Sequence, residues 1–228
     1  MALILGMDTS MSACSVALIA DGQTITHASE EMTRGQSEAL APMIDRVMIG
    51  HDYADLDAVA VSRGPGAFTG LRIGLAAARS LAMTIDRPCL GISTFDVLSL
   101  QVMQNTDVVI PSDGIIVIAI ETKRDDFYIQ AIGEDGSFVI PPAAMMAEDI
   151  RSALPEDRPL FIAGDGWSRL HGELGPEGPA MREIPNVVLP DAAVLAKCAQ
   201  AFVETPDDAP TSPLYLRPPD VTMPKKAE

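Results

Sequence analysis

An order of predicted elements that occurs twice limits the possible folds of this chain more than any other feature. Each half reads as three strands, a helix, a further strand and further helix, with an Asp-Gly pair after the second strand. Such a pair favours a hairpin, because glycine accepts the positive φ of a tight turn. The two pairs are Asp21-Gly22 and Asp135-Gly136. The repeat predicts a duplicated α/β fold with lobes at 1–104 and 105–217, and a tail at 218–228.

Apolar patterning sets the boundaries of these elements, since short apolar runs predict buried strands and a 3.6-residue period predicts helices. The predicted strands are 3–9, 13–20, 23–29, 58–62, 89–92, 115–121, 127–132, 137–140 and 160–163. The predicted helices are one with an apolar stripe from Leu40 to Met48, then 68–84, 93–104, 143–154 and 191–204. The Gly- and Pro-rich stretch 165–190 breaks the symmetry, and 204–213 resembles a linker.

The composition indicates a globular chain and argues against several classes. Three cysteines at widely spaced positions indicate neither a disulfide framework nor a zinc site. No apolar run approaches the roughly 20 residues of a membrane span, and no secretory signal is recognisable, so we expect a cytoplasmic protein without a membrane partner. The net charge of −16 predicts repulsion from RNA and DNA over most of the surface. Any role on nucleic acid would therefore depend on a basic partner.

Residues 62–82, SRGPGAFTGLRIGLAAARSLA, form a glycine-rich loop that leads into a helix. The loop lacks two phosphate-binding patterns, because Leu71 follows Gly70 where a P-loop has lysine, and Thr69 stands where the third glycine of GxGxxG would be. Backbone N–H groups at the helix start could still bind an anion. We therefore expect the glycines to serve close packing.

The helix after this loop carries a ridge of small residues, with Gly70, Gly74, Ala78 and Ala82 at four-residue spacing. Such a ridge lets another backbone approach closely, which offsets the roughly 1 kcal/mol that a helical glycine costs. Two interpretations remain open: a helix packed on its own sheet, or a face that binds a partner together with the Leu40–Met48 helix. Methionines suit the second interpretation, since their side chains adapt to an interface.

Arg72 and Arg79 share another face of this helix with Ala76 and Met83. The candidate partner-binding residues are Leu40, Met43, Ile44, Val47, Gly70, Arg72, Gly74, Ala78 and Arg79.

Several segments together resemble the TsaB (YeaZ) family: MALILGMDTSMSACSVAL, GPGAFTGLRIG with the following GIST, AIETKRDDFY, AGDGW and YLR. The resemblance covers about residues 3 to 217. It implies a duplicated actin-like, Hsp70-like (ASKHA) fold, two lobes each with a mixed sheet and helices. It also implies a role in making threonylcarbamoyladenosine at position 37 of tRNA, as the inactive relative of the catalytic subunit TsaD, in a complex with TsaD and the ATPase TsaE.

The same resemblance places a nucleotide cleft, or its remnant, between the lobes. Its residues would be Asp8, Thr9, Ser10, Glu121, Gly164 and Gly166. Two carboxylates such as Asp8 and Glu121 can hold Mg²⁺ if they face each other. The alternative interpretation is a set of turns whose short side chains satisfy the backbone, and it is the one we favour.

TsaD-type proteins carry an HxxxH pair that binds a metal, and here Thr94 and Leu98 stand at those places. We expect no metal site, no catalytic residue and no bound cofactor in this chain, with ATP and a metal in partner subunits. The resulting hypothesis is a non-catalytic scaffold that heterodimerises with a TsaD-like paralogue, works with a TsaE-like ATPase, and contacts tRNA mainly through partners. Alone it could form a homodimer. The rivals are a stand-alone actin-like ATPase or phosphotransferase and, disfavoured by the missing histidines, a metallopeptidase.

Overall fold

The computed structural model describes residues 2–176 and 178–217, so the predicted tail at 218–228 lies outside the described residues. The strands are β1 (Leu3–Asp8), β2 (Ala13–Ala20), β3 (Gln23–Glu31), β4 (Ala58–Gly64), β5 (Cys89–Ser93), β6 (Ile115–Glu121), β7 (Phe127–Gly133), β8 (Phe138–Met145), β9 (Leu160–Ala163) and β10 (Met181–Glu183). The helices are α1 (Gln36–Val47), α2 (Phe68–Ile85), α3 (Thr94–Gln104), α4 (Ala147–Ala153), α5 (Trp167–Leu174) and α6 (Ala192–Ala199).

The strands form two five-stranded sheets with the same topology. The first has the order β3-β2-β1-β4-β5 and the second β8-β7-β6-β9-β10. In each sheet a three-stranded antiparallel meander precedes strands that pair in parallel, such as β1 with β4 and β6 with β9. The buried central strands are nearly continuous apolar runs, as expected for strands covered on both faces. The predicted duplicated α/β fold is therefore confirmed.

Two parts of the prediction for the second half were wrong. The predicted helix at 143–154 begins only at Ala147, because Ala143, Ala144 and Met145 pair with β7 and extend β8. Alanine and methionine favour helices, but pairing in the sheet outweighs that small preference. The stretch 165–190 was given no regular element, yet it contains α5 and β10.

Each half ends with a helix that packs on the sheet of the other half. Helix α3 follows β5 of the first sheet, but its Phe95, Leu98 and Val102 pack with apolar side chains of β6. Helix α6 follows β10 of the second sheet, but its Leu195 and Ala196 pack against the first sheet. This exchange ties the two sheets together. The division of the chain into lobes at 1–104 and 105–217 stays a prediction. Helix α6 belongs to the second of these ranges but packs on the first sheet.

Within the described ranges we find no helix with the length and apolar character needed to cross a membrane.

Candidate functional site

A cleft of about 810 Å³ lies between the end of β1 in the first sheet and the end of β6 in the second. Its walls come from the turn after β1, the segment between β3 and the start of α1, the start of α2, the end of β6 with the turn after it, β7, the turn after β9, and residues near the C-terminal end of the described chain. The lining residues are Ser10, Met11, Ser12, Thr33, Gln36, Gly66, Ala67, Phe68, Arg72, Ile120, Glu121, Thr122, Lys123, Arg124, Tyr128, Asp165, Tyr215, Leu216 and Arg217. The predicted residues Ser10 and Glu121 therefore share one cavity.

Asp8 lies beneath this cleft and does not line it. Its side chain is completely buried. The backbone N–H of Ser10 donates to Asp8 Oδ1 at 3.0 Å, and the Ser10 and Ser62 hydroxyls donate to its Oδ2. Burial raises the pKa of Asp8 to about 7, although the hydrogen bonds from Ser10 act in the opposite direction. The carboxyl group is thus enclosed by hydroxyls of its own chain.

Thr9 contacts the glycine-rich loop directly, and these contacts account for the glycines of the loop. Thr9 Oγ1 donates to the Gly70 carbonyl oxygen at 2.7 Å, and the Ala67 N–H donates to the Ser10 carbonyl oxygen at 2.7 Å. A Cβ at Gly70 would lie far inside contact distance of the Thr9 carbonyl oxygen. The loop therefore rests directly on the turn after β1. The prediction that its glycines serve close packing is confirmed.

Glu121, at the end of β6, has a different environment from Asp8. Arg169 of α5 holds it through two contacts, Nε to Oε2 at 2.7 Å and Nη2 to Oε1 at 2.9 Å. The Arg169 guanidinium also lies 3.7 Å from the centre of the Phe127 ring. Partial burial raises the pKa of Glu121, but the hydrogen bonds from Arg169 and from the Lys123 N–H outweigh it and hold the pKa below its ordinary value.

Gly164 and Gly166 flank Asp165 at the end of β9. The Gly166 N–H donates to the Ala119 carbonyl oxygen at 3.0 Å, and a Cβ at Gly164 would collide with that same oxygen. Gly164 also has a φ of 102°, which favours glycine. The two glycines therefore permit close approach to β6. Asp165, between the two predicted glycines, lines the cleft, and burial raises its pKa to about 6.

Asp8 and Glu121 thus do not present a pair of carboxylates to one cavity, because Asp8 is enclosed and Glu121 is paired with Arg169. Thr94 and Leu98, at the places of the expected histidine pair, are completely buried. Among the residues that the structure describes, no group of three or more His, Cys, Asp or Glu side chains is arranged to hold a metal ion. The expectations on metal, cofactor and catalysis stay predictions.

The candidate partner-binding residues divide into two groups. The ridge of Gly70, Gly74 and Ala78 faces the chain's own sheet, and a Cβ at Gly74 would lie 2.7 Å from Thr9 Oγ1 and 3.3 Å from Val61 Cγ2. Leu40, Met43 and Val47 belong to the same core, and Ile44 packs against it. Leu40, Met43 and Val47 are buried within this chain and stabilise its fold, whereas Ile44 is partly exposed. Their assignment to a partner interface stays a prediction.

The other face of α2, which the spacing predicted Arg72 and Arg79 to share with Ala76 and Met83, is exposed. Arg72, Ala76 and Arg79 are exposed, and Met83 exposes 80% of its surface. The prediction that the α1 and α2 helices bind a partner stays a prediction, with its residues shifted to this exposed face.

A segment that we call the C-terminal strap, residues 209–217, crosses from the first sheet to the second, where the sequence indicated a linker. The Leu214 N–H donates to the Arg63 carbonyl oxygen at 2.7 Å, and Arg79 Nε donates to Thr211 Oγ1 at 3.1 Å. At its far end Arg217 forms an ion pair with Asp126 next to β7. Sequence reasoning missed the strap because it has no periodic apolar pattern.

Two repeated sheets, joined by exchanged helices and enclosing a cleft, define a duplicated α/β protein. The family profile for "TsaD: tRNA N6-adenosine threonylcarbamoyltransferase" matches residues 25–140. The Escherichia coli (strain K12) "tRNA threonylcarbamoyladenosine biosynthesis protein TsaB" is 32% identical over 224 residues, 94% of each chain. The chain belongs to the TsaB (YeaZ) family.

Two further similarities agree with this assignment. The solved structure "YeaZ from Pseudomonas aeruginosa" has a TM-score of 0.76 and 29% identity, covering 95% of this chain and all of that one. A "tRNA N6-adenosine threonylcarbamoyltransferase" of Erythrobacter litoralis (strain HTCC2594) is 37% identical over 111 residues, which is 41% of this chain and 32% of that protein. The similarity to the transferase is therefore confined to one part of each chain.

Proposed function

We propose that this chain is a non-catalytic scaffold subunit in the synthesis of threonylcarbamoyladenosine on tRNA. Its family supports the pathway, since the curated relatives are named as biosynthesis proteins for that modification. The observation that carries the non-catalytic role is the enclosure of Asp8, whose carboxyl group accepts hydrogen bonds from Ser10 and Ser62 and has no exposed surface. A carboxylate in this state cannot contact a metal-bound phosphate in the cleft without displacing its own chain.

The proposed catalytic partner is a TsaD-like paralogue. ATP and the metal are assigned to partner subunits, the TsaD-like protein and a TsaE-like ATPase, and the complex acts in the cytoplasm. Thr94 and Leu98 support this division of labour, because neither side chain can replace imidazole as a metal ligand.

The exposed face of α2 is the proposed docking surface for the TsaD-like paralogue. Ala76 supplies apolar area between Arg72 and Arg79, and Met83 supplies more one turn beyond Arg79; arginine and methionine are both enriched in protein interfaces. In the absence of the paralogue, a second copy of the chain would cover the same face and give a homodimer.

A double variant, Ala76→Arg with Met83→Glu, tests the docking surface. Both positions are exposed, so the fold is expected to survive, and the far-ultraviolet circular dichroism spectrum checks this. We expect the variant to lose co-elution with the TsaD-like paralogue on size-exclusion chromatography and to lose tRNA modification measured by mass spectrometry. The matched control is Phe138→Glu, which changes an exposed apolar residue (59% exposed) of the second sheet.

Unchanged co-elution of the double variant would rule out this surface. Threonylcarbamoylation of tRNA by the purified chain alone would rule out the non-catalytic role.

A further inference from the structure

Positive charge gathers at the cleft of a chain that is otherwise strongly acidic. Four basic and two acidic residues line the cleft, whereas the whole chain has 16 basic and 32 acidic residues. Of the two acids, Glu121 is paired with Arg169, whereas Asp165, whose pKa burial raises to about 6, keeps most of its charge at neutral pH. Arg217 forms an ion pair with Asp126, and Arg72, Lys123 and Arg124 supply the other three positive charges of the wall. A cleft with an excess of positive charge in its wall attracts anions.

A stack of planar groups stands at the same cleft. The Arg72 guanidinium lies 3.6 Å from the centre of the Phe68 ring, and the Tyr215 ring stacks on Phe68 with centroids 5.9 Å apart and planes at 29°. Phe68 remains 56% exposed and Tyr215 49% exposed. Exposed aromatic rings beside arginine are the usual platform for unpaired nucleic-acid bases. An acidic peptide would use the charges of this cleft but not its rings.

A second cavity has basic side chains but lacks the exposed aromatic rings of the cleft. It measures about 720 Å³ at the edge of the second sheet, and Arg151, Arg158 and Arg182 line it beside Glu156. This cavity is also more basic than acidic. However, the aromatic ring in its wall belongs to Phe161, which is only 5% exposed and therefore not available for stacking.

We propose that the cleft binds an unpaired segment of the tRNA itself, with bases stacked on the Phe68–Tyr215 platform and phosphates held by Lys123 and Arg124. Both basic side chains are exposed on the turn after β6, where they can reach a bound backbone. This inference rests on the proposed function and extends it. The scaffold subunit supplies one RNA-binding wall, even though its remaining surface repels RNA.

The test uses the intact complex of this chain with its TsaD-like paralogue, titrated with fluorescently labelled tRNA at several salt concentrations. We expect Lys123→Glu with Arg124→Glu to weaken tRNA binding about tenfold or more and to lower the salt dependence by about two phosphate contacts. The matched control, Arg151→Glu with Arg182→Glu at the second cavity, is expected to bind as the unchanged complex does. Size-exclusion chromatography of each variant shows whether the complex is intact, which separates loss of RNA contact from loss of the partner.

The stacking platform has its own pair of variants. Tyr215→Phe keeps the ring and removes only the contact of its hydroxyl with Arg72 Nε at 3.4 Å, so we expect unchanged affinity for tRNA. Tyr215→Leu removes the ring, and we expect a loss of about fivefold or more.

Three outcomes would overturn the proposal. The first is unchanged tRNA affinity in the Lys123 and Arg124 double variant with the complex intact. The second is an equal loss in the control at the second cavity, which would indicate a general charge effect. The third is displacement of tRNA by free AMP or by a polyglutamate peptide, together with equal tRNA affinity of the Tyr215→Phe and Tyr215→Leu variants. Displacement by AMP would assign the cleft to a mononucleotide, and displacement by the peptide would assign it to an acidic protein.

Discussion

The ends of β1 and β6 occupy equivalent places in the two halves, yet their carboxylates have opposite environments. Asp8, at the end of β1, is completely buried among serine hydroxyls, and its pKa is raised to about 7. Glu121, at the end of β6, lines the cleft and is held by Arg169, with a lowered pKa. One repeated backbone therefore supports a carboxyl group that favours its neutral form and one that favours its charged form.

The helices that flank these strands account for the difference. Helix α2 lies so close to the turn after β1 that Gly70 and Gly74 contact Thr9, which leaves no room for a charged partner beside Asp8. Helix α5 carries Arg169 toward β6, and Gly172 has no atom within 4 Å of the place that a Cβ would take. Close packing isolates one carboxyl group, while the Arg169 side chain supplies a counter-charge to the other.

The largest expected effect is a pH dependence of stability with opposite sign at the two carboxyl groups. Asp8 has a folded pKa of about 7 against an ordinary value of 3.8, so the folded state holds its proton more tightly. Its contribution is complete below pH 4 and is lost as the pH rises toward and through 7, by at most about 4 kcal/mol. Urea unfolding from pH 4 to 8 should show this loss in the unchanged chain and a flatter profile in Asp8→Asn.

Glu121→Gln is the comparison for that experiment. The pKa of Glu121 is lowered in the fold, so its contribution is present above its ordinary value of 4.5 and is lost as the pH falls below it. The variant should therefore differ from the unchanged chain most at neutral pH and least at pH 4. Parallel profiles for the two variants would contradict the contrast between the halves.

The next largest effect is a difference in stability change between a glycine of α2 and a glycine of α5 when each is replaced by alanine. Gly70→Ala places a methyl group against the Thr9 carbonyl oxygen, and we expect a loss of about 3 kcal/mol in the free energy of unfolding. Gly172→Ala meets open space in α5, so helix propensity should raise stability by about 0.5 to 1 kcal/mol. Urea unfolding measures both, and a gain of stability from Gly70→Ala would disprove the close approach of α2.

The smallest expected effect concerns the counter-charge in the second half. Arg169→Met keeps the apolar stem of the side chain but leaves Glu121 without its ion pair, at a cost of about 1 to 2 kcal/mol at neutral pH. The cost should shrink at pH 4, as Glu121 becomes protonated. A cost that is the same at both pH values would show that Arg169 acts through its packing on Phe127 alone.

The repeat in the sequence was sufficient to predict two mixed sheets, because apolar runs and Asp-Gly turns are local signals. In the second half, the start of α4 and the elements α5 and β10 were harder to predict. Helix α5 has only Leu170 and Leu174 as buried anchors, at a spacing of i and i+4, within a stretch rich in glycine. That pair was the available signal, and it is too short to stand out from the surrounding turns.

The sequence indicated where the candidate site residues lie along the chain, but not what surrounds their side chains in the fold. Asp8, Ser10 and Glu121 were named correctly as residues at the strand ends, yet the sequence does not tell which side chain faces the cleft. Arg169 and the C-terminal strap depend on contacts between residues far apart in the chain, such as Arg79 with Thr211. Local patterns carry no information about such contacts.

The amino-acid sequence by itself determined the order of most elements, the family and the acidic character of the chain, since these depend on neighbouring residues and on composition. Only the tertiary structure decided that the small-residue ridge of α2 faces inward, that Asp8 is enclosed, and that scattered basic residues meet at one cleft. The physical reason is that burial and charge depend on distances in space. Those distances are fixed when helices and sheets from both halves pack together.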